Sequence, residues 1–357
     1  MRIIYEFVRL AVVALIVGAS LYLVLPRSPI KPLAWTPPEA PPLAGAYEPN
    51  RRLAAIERLG SGSGLAPEDV AADAAGQIYG GMEDGRIVRL GADGSDPEVF
   101  ADTGGRPLGL AFDAAGRLIV ADAYRGLLSI APDGTIRRLA VGADERRFRL
   151  TNDVDIAPDG TIYFTDASDR FSLDDYVMDL MEARPNGRLL AYDPRTGDVR
   201  TVLWPLYFAN GVAVSADGTF VLVVETGRYR VLRQWIRGPR SGESEIFIDN
   251  LPGFPDGISS DGRGVFWLAL VSPRNPLIDF LLPHPLMRKI LGRLPQRLQP
   301  GPKRYSFVLG LDRSGRVIHN LQDPSGGFAQ ISSVERHGDD LYFGSLVEDA
   351  IGRLPAP

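Results

Sequence analysis

The sequence has no cysteine among its 357 residues, and it has only three histidines and three lysines. The missing cysteines exclude disulfide bonds, zinc–thiolate sites and thiol nucleophiles. No basic run is present and the net charge is −5, so nucleic acid is not an expected partner. Glycine, with 39 residues, and proline, with 29, are instead abundant, which favours many short strands and turns.

The N-terminal segment carries a long apolar run. Residues 10–25 (LAVVALIVGASLYLVL) contain no charge, and Phe7 and Val8 extend the run beyond Arg9. This length approaches what a helix needs to cross a hydrocarbon core, so residues 1–27 are predicted to be a transmembrane signal anchor. A cleaved signal peptide is the alternative, although no clear small-x-small site is present. We expect the remainder of the chain on the periplasmic or extracytoplasmic side of the membrane.

Two further segments follow. Residues 28–50 are rich in proline and predict an extended linker, and residues 51–357 predict the globular domain. Six segments of that domain share a polar start, an apolar strand, usually an Asp-Gly or similar turn, and a second apolar strand. Their second residues are Glu68, Leu108, Asn152, Asn210, Asp256 and Ser332. The spacings of 40, 44, 58, 46 and 76 residues fit four-stranded units with two insertions.

Such repeats predict an all-β, six-bladed β-propeller with short helical insertions. Residues 51–60 (RRLAAIERLG) are expected to supply a strand that closes the ring against the last blade. The alternative is an alternating βαβ architecture, but there are too few helical periods between the strands to build it.

Asn210 begins an apolar strand in the stretch FANGVAVSADG, where a residue that prefers turns needs an explanation. An Asn-Gly hairpin turn is one possibility, but the Asp217-Gly218 pair is the better turn candidate. In a propeller, the equivalent leading residues of the innermost strands form a ring around the axis. Four of the six ring residues carry side-chain oxygen, namely Glu68, Asn152, Asn210 and Asp256.

Two carboxylates and two amide oxygens form a hard-oxygen set that suits Ca²⁺ better than Mg²⁺ or zinc. Without a cation, the two carboxylates would repel each other. The sequence therefore predicts a calcium site at the channel mouth with Glu68, Asn152, Asn210 and Asp256 as ligands. The alternative is that these side chains merely satisfy backbone groups at the starts of strands.

Several stretches carry a family resemblance: VADAYRGL (120–127), DGTIYFTDAS (159–168), NGRLLAYD (186–193), PGFPD (252–256) and RYSFVLGL (304–311). In order, spacing and insertions the chain resembles the strictosidine synthase-like propellers. The wider superfamily contains serum paraoxonase and the gluconolactonases, which are calcium-dependent esterases and lactonases. The resemblance implies that the four ring residues hold the catalytic calcium, and that Asp69 and Asp153 hold a possible second calcium.

Two departures from these relatives limit the chemistry. Leu108 stands where paraoxonase has a proposed catalytic histidine, and the three histidines lie outside the ring. The stretch GGFAQISS (326–333) lacks the glutamate of strictosidine synthases, and the nearest acid, Glu335, is displaced. Histidine catalysis and the amine–aldehyde condensation are therefore disfavoured.

The leading hypothesis is calcium-dependent hydrolysis of an ester or lactone, with Asp256 or Glu68 as general base. Two insertions, residues 169–187 and 274–304, are expected to cover the channel mouth, with Leu108, Phe171 and Tyr176 at the substrate entrance. The second insertion could instead lie on a membrane surface. An apolar lid predicts a hydrophobic substrate. The competing hypothesis is a non-catalytic binding protein with a structural calcium.

Overall fold

The turn-flanked strands form six four-stranded antiparallel sheets in the computed structural model, which describes residues 2–24, 28–295 and 298–357. The sheets follow one another along the chain. Their first strands contact each other in a closed ring, which places them innermost around a central channel. The predicted all-β, six-bladed propeller is therefore confirmed.

Strand β1 (Glu57–Leu59) precedes the first blade in the chain. The first blade contains β2 (Val70–Ala72), β3 (Ile78–Gly81), β4 (Arg86–Leu90) and β5 (Glu98–Asp102). The second contains β6 (Pro107–Phe112), β7 (Leu118–Asp122), β8 (Gly126–Ile130) and β9 (Ile136–Ala140). A separate two-stranded hairpin, β10 (Gly142–Ala143) and β11 (Arg146–Arg147), follows it. The third blade contains β12 (Thr151–Ile156), β13 (Ile162–Asp166), β14 (Gly187–Tyr192) and β15 (Val199–Leu206).

The remaining three blades follow the same order. The fourth blade contains β16 (Ala209–Val214), β17 (Phe220–Glu225), β18 (Arg230–Trp235) and β19 (Ser244–Ile248). The fifth contains β20 (Gly253–Ser260), β21 (Phe266–Pro273), β22 (Ser306–Leu311) and β23 (Val317–Asp323). The sixth contains β24 (Ile331–His337), β25 (Asp340–Ser345) and β26 (Ile351–Pro355), with β1 as its outermost strand.

The closing strand predicted within residues 51–60 is confirmed by β1. It pairs antiparallel with β26, with Glu57 opposite Arg353 and Leu59 opposite Ile351. Because this pairing joins the two ends of the propeller in one sheet, the ring is fastened by backbone hydrogen bonds as well as by packing.

The second strand of most blades is buried along its whole length, as in β7, β13 and β17. Strand β21 is buried except at its last residue. These strands are continuous apolar runs, such as FVLVVE in β17, because both of their faces contact neighbouring blades. Leu189 of β14 in the third blade, for example, belongs to the same buried cluster as Val212 and Val223 of the fourth blade. The core is therefore a set of apolar layers between adjacent blades.

Helix α1 (Arg2–Val24) covers most of the predicted anchor, of which residues 1 and 25–27 lie outside the described residues. Within the described chain, no helix is long and apolar enough to span a membrane, so the predicted transmembrane helix is not confirmed. Arg2, Glu6 and Arg9 lie in the first half of α1, and its uncharged remainder is about 22 Å long, short of the roughly 30 Å of a hydrocarbon core.

The two insertions supply three short helices beside the channel mouth. The first insertion contains α2 (Tyr176–Glu182), and the second contains α3 (Pro276–Leu281) and α4 (Pro285–Leu291). Residues 296 and 297 of the second insertion lie outside the described residues. Short 3-10 turns occur at Gly45–Tyr47, Arg52–Ala55, Leu173–Asp175 and Thr226–Arg228.

Residues 28–50, hereafter the strap, are extended and pack against the rest of the protein. The backbone N–H of Leu33 donates to the carbonyl of Glu182 at 2.9 Å, and that of Trp35 donates to the carbonyl of Leu282 at 3.2 Å. Ile30 is completely buried. The strap thus contacts the ends of α2 and α3, which proline-rich composition alone does not predict.

Candidate metal and substrate site at the channel mouth

The four predicted ligands lie at the starts of four different inner strands. Asn152 and Asn210 are the second residues of β12 and β16, Asp256 is the fourth residue of β20, and Glu68 lies two residues before β2. Each is at most 9% exposed. Three of them line a channel cavity of about 240 Å³, and Asp256 lines an adjoining cavity of about 470 Å³ that Asn210 also borders.

Asn210 joins two of these positions directly. Its side-chain nitrogen Nδ2 donates to Oδ1 of Asp256 and, at 3.2 Å, to Oγ1 of Thr226. Thr226 Oγ1 in turn donates to the carbonyl of Pro255 at 2.7 Å. Because the amide nitrogen is committed to these partners, the amide oxygen Oδ1 is the atom left to act as an acceptor or ligand.

The electrostatics of the site favour a bound cation. Burial, followed by repulsion from Asp256, raises the pKa of Glu68 well above its usual value, while Arg106 opposes the shift. Burial raises the pKa of Asp256 to about 7, and the hydrogen bond from Asn210 opposes this shift. Both carboxyls resist ionisation chiefly because they are buried, and a cation between them would offset that cost.

The donor set fits a hard cation. Oδ2 of Asp256 is buried without a hydrogen-bond partner among the described residues, and the four side chains offer only oxygen as a ligand atom. In the described ranges, no group of three or more histidine, cysteine or acidic side chains could hold a metal ion. A cation at the mouth would therefore depend on the oxygens of Asn152 and Asn210 as well as on the two carboxylates.

Left-handed backbone recurs at the starts of the inner strands. Ala66, Phe208 and Gln330 have φ values of 50°, 56° and 51°. Each lies two residues before a ring position, namely Glu68, Asn210 and Ser332 respectively. Residues other than glycine adopt this conformation at an energetic cost, and such strain concentrates at functional sites. This strain marks three of the six ring positions.

The Asn-Gly pair that the sequence leaves ambiguous is explained by close approach between blades. A Cβ atom on Gly211 would lie 2.5 Å from both the carbonyl oxygen of Asp256 and the backbone nitrogen of Ile258. Glycine is therefore required here by the neighbouring inner strand and not by a hairpin turn. The same holds for Gly257, where a Cβ would lie 2.5 Å from the carbonyl oxygen of Ser332.

Asp69 and Asp153, the predicted ligands of a second calcium, hold adjacent blades together. Oδ2 of Asp69 accepts from the backbone of Leu110 in the second blade at 2.8 Å. Oδ2 of Asp153 accepts from the backbone of Val212 in the fourth blade at 2.7 Å. Both carboxylates thus bond the neighbouring inner strand. Their proposed calcium stays a prediction.

The channel below the ring is acidic. Its lining includes Asp69, Asp153, Asp155 and Glu335, and no lysine or arginine. Glu335, which the sequence places away from the expected position of a catalytic glutamate, lies on β24 facing this channel. Burial, followed by repulsion from Asp69, raises its pKa well above the usual value.

Above the ring lies the larger cavity, which is mostly apolar. Helix α2, in the first insertion, contributes Tyr176, Val177, Leu180 and Met181. Helix α3 and its C-terminal end contribute Ile278, Leu281 and Leu282. Phe208, Tyr229 and Phe254 form further parts of the wall. Asp256 lies at the same cavity, so an apolar ligand there would contact the candidate site.

The predicted entrance residues separate into two groups. Tyr176 lines the apolar cavity, and its ring centroid is 6.4 Å from that of Phe208. Leu108, only 3% exposed, instead packs with Phe208 in a cluster beneath α2. Phe171 is also buried and does not line the cavity, and its backbone N–H donates to Oγ of Ser168 at 3.0 Å. Leu108 and Phe171 therefore contribute to packing and not to the entrance, which corrects the prediction for these two residues.

Sequence reasoning missed Thr226, Tyr229 and Phe254. Tyr229 and Phe254 pack edge to face with ring centroids 5.2 Å apart, and both line the cavity. Phe254 lies within the PGFPD stretch, two residues before Asp256, which was an available signal. No sequence pattern identifies Thr226, because its role depends on its contact with Asn210.

The chain matches known sequences over most of its length. Residues 152–239 match the family model described as strictosidine synthase, and residues 45–90 match strictosidine synthase-like, N-terminal. The adipocyte plasma membrane-associated protein of Bos taurus is 35% identical over 93% of this chain and 86% of its own length. The protein Strictosidine Synthase-Like 6 of Arabidopsis thaliana is 38% identical over 85% of this chain and 82% of its own. The chain belongs to the strictosidine synthase-like family.

Solved structures with this family's fold are similar in architecture but distant in sequence. A gluconolactonase from Xanthomonas campestris superposes with a TM-score of 0.62 at 20% identity, covering 94% of this chain and 99% of that one. The calcium-binding protein regucalcin from Agrobacterium tumefaciens gives 0.56 at 17% identity, covering 84% and 90%. At these identities the likeness shows the propeller fold alone.

Proposed function

We propose that this strictosidine synthase-like chain is a calcium-dependent hydrolase of hydrophobic esters or lactones. The observation that carries the proposal is the position of Asn210 and Asp256. The two residues contact each other, and both border a cavity of about 470 Å³ with mainly apolar walls. Two proteins that share this fold are named a gluconolactonase and the calcium-binding protein regucalcin, so the fold accommodates this class of activity and this ion.

Glu68, Asn152, Asn210 and Asp256 would hold the calcium ion. When bound, the ion would supply Lewis-acid stabilisation of the charge that develops on the substrate carbonyl oxygen. The side chains of α2 and α3 would bind the apolar part of the substrate and exclude water from it.

Asp256 is the better candidate for the general base. It lines the apolar cavity, whereas Glu68 lines the channel on the other side of the ring. Oδ2 of Asp256 has no hydrogen-bond partner among the described residues, so it could accept a proton from an attacking water. Glu68 then serves as a ligand only.

Membrane association is part of the same proposal. Several relatives are named adipocyte plasma membrane-associated protein. In α1, Leu10, Leu15 and Ile16 are more than half exposed, which leaves an apolar surface available to lipid. Placement of the propeller on the extracytoplasmic side is also a proposal.

The test measures hydrolysis of phenyl acetate and of a medium-chain δ-lactone by the full chain, with calcium and after chelation with EGTA. We expect chelation to abolish turnover and added calcium to restore it. Asp256→Asn should lower kcat by about 10²- to 10⁴-fold, the range for loss of a general base.

Asp193→Asn is the matched control, since it makes the same change in an exposed turn and should leave turnover unaltered. Turnover that survives both EGTA and Asp256→Asn would refute the proposed hydrolase. Calcium binding without turnover of any ester or lactone would favour the non-catalytic binding protein.

A further inference from the structure

The second insertion presents an apolar outer surface. Five large apolar side chains of residues 274–304, hereafter the lid segment, are between 45% and 61% exposed. They are Leu277, Phe280, Leu286, Met287 and Leu298. Soluble proteins rarely concentrate such side chains on one short surface unless the surface binds something.

The same segment is strongly basic in a chain whose net charge is −5. Residues 274–304 contain seven arginines and lysines but only one acid, Asp279, although Arg274 and Arg288 are buried and add no charge to the surface. That acid is engaged within the protein, because Arg274 donates to it at 3.0 Å and Tyr229 at 2.9 Å. It therefore offers little negative charge to an outside partner.

The three lysines of the chain all lie around this surface. Lys289 is exposed on α4, and Lys303 is exposed at the rim of the apolar cavity. Lys31 belongs to the strap, where its backbone N–H donates to Oε1 of Glu182 at the end of α2 at 2.5 Å. Lysine side chains beside apolar ones suit an anionic lipid interface, since the stem lies against lipid and the ammonium reaches the headgroups.

The lid segment also forms a wall of the substrate cavity. Leu281 and Leu291 line the cavity from within, while Phe280 and Leu286 face solvent on the same two helices. Helix α1 lies beside α4, and just after α4 the Arg293 guanidinium donates to the carbonyl of Tyr22 in α1. The apolar surfaces of α1 and of the lid segment are therefore neighbours.

We propose that the lid segment docks on an anionic lipid bilayer, so that the cavity opens at the lipid interface. The occupant is lipid because exposed apolar side chains, with exposed Lys289 and Lys303 in the same segment, match both the acyl region and the charge of anionic headgroups. We also infer that the ester or lactone substrates enter the cavity from the bilayer, which rests on the proposed function. The docking itself does not.

The absence of cysteine permits a direct test in the full chain. A single Leu286→Cys substitution is labelled with the environment-sensitive fluorophore NBD and mixed with vesicles of phosphatidylcholine and phosphatidylserine. We expect a blue shift and a gain in intensity, as the label leaves water. Val99→Cys is the control, because Val99 has a similar exposure of 53% against 60% but lies on β5 of the first blade.

A second measurement tests the charge. Replacing Lys289 and Lys303 by glutamine should weaken partitioning to these vesicles by roughly 30-fold, about fivefold for each lysine lost near an anionic surface. The control replaces Arg137 and Arg138, which are exposed on β9, by glutamine and should change partitioning little.

The proposal is overturned if NBD at position 286 keeps its aqueous spectrum while the protein co-floats with vesicles, which would leave α1 as the lipid-binding element. Equal responses at positions 286 and 99 would also overturn it. If vesicles cause no blue shift of NBD at position 286 but a purified protein does, the partner would be a protein instead of lipid. None of these readouts depends on hydrolysis, so failure of the proposed enzyme activity would be seen separately.

Discussion

Asn210 illustrates how one side chain can be fixed by two neighbours. Its amide nitrogen donates to Asp256 and Thr226, and Thr226 is itself held by the carbonyl of Pro255. If Asn210 binds calcium as proposed, these hydrogen bonds would fix its side chain before the ion arrives. In the proposed site, Thr226 would be a positioning residue.

Removing the hydroxyl of Thr226 should weaken calcium binding. Thr226→Val keeps the shape but leaves Nδ2 of Asn210 without one acceptor, and loss of such an outer partner typically costs about 10- to 100-fold in metal affinity. Thr226→Ser should retain most of the affinity, because the hydroxyl is still present. Calorimetric calcium titration of both variants decides this, and equal affinity in Thr226→Val and the unaltered chain would contradict the assigned role.

At this scale the sequence predicted the ring residues but not their partners. Glu68, Asn152, Asn210 and Asp256 could be found because they occupy one position of a repeat. Leu108 shares that position, yet its side chain packs beneath α2. Burying an apolar side chain there is more favourable than exposing it at the channel mouth. Repeat position alone does not fix what a side chain contacts.

Among the elements, the strap and the lid helices depend on each other. The backbone of Trp35 bonds Leu282 at the end of α3, and its ring lies 4.2 Å from the guanidinium carbon of Arg228. Arg288 of α4 donates to the carbonyl of Leu282 at 2.8 Å and also to that of Leu33 in the strap. The strap thus ties α3 and α4 to the propeller.

Trp35→Ala should loosen these helices. The loss in the free energy of unfolding should be below the ~3–5 kcal/mol typical of a core tryptophan, because Trp35 is only partly buried. Hydrogen exchange should accelerate in α3 and little in β17. Trp204→Ala, at an exposed tryptophan on β15, is the control. Unchanged exchange in α3 would show that the strap does not support the lid.

The strap could not have been predicted from its composition. Frequent proline favours an extended chain, and the chain is extended, but proline does not indicate which surface the chain will cross. By contrast, the closing strand β1 could be predicted, because the last blade would otherwise lack its fourth strand. The sequence indicates the local backbone conformation of the strap. Its contacts with distant helices depend on the shape of the folded surface.

For the whole molecule, the central feature is an acidic channel inside a ring of strands. Burial raises the pKa of Asp69 and Asp155 to about 6 and that of Asp256 to about 7. In the unfolded chain such groups ionise near pH 4. Between these values the folded protein holds more protons than the unfolded one.

Stability without calcium should therefore fall as the pH rises from about 4 to about 7, because the unfolded state binds fewer protons in this window. In EGTA we expect a Tm several degrees lower at about pH 8 than at about pH 5. Calcium should raise the Tm more at the higher pH, because the carboxyl groups are ionised there and can bind the ion. A Tm in EGTA that is flat or rises over this range would contradict the pKa shifts.

The most direct test of the account is a calcium-soaked crystal of the full chain, examined for anomalous scattering at the channel mouth. We predict one strong peak about 2.3–2.6 Å from side-chain oxygens of Glu68, Asn152, Asn210 and Asp256, the usual calcium–oxygen distance. An empty mouth at saturating calcium, or a peak bound to other residues only, would contradict the account.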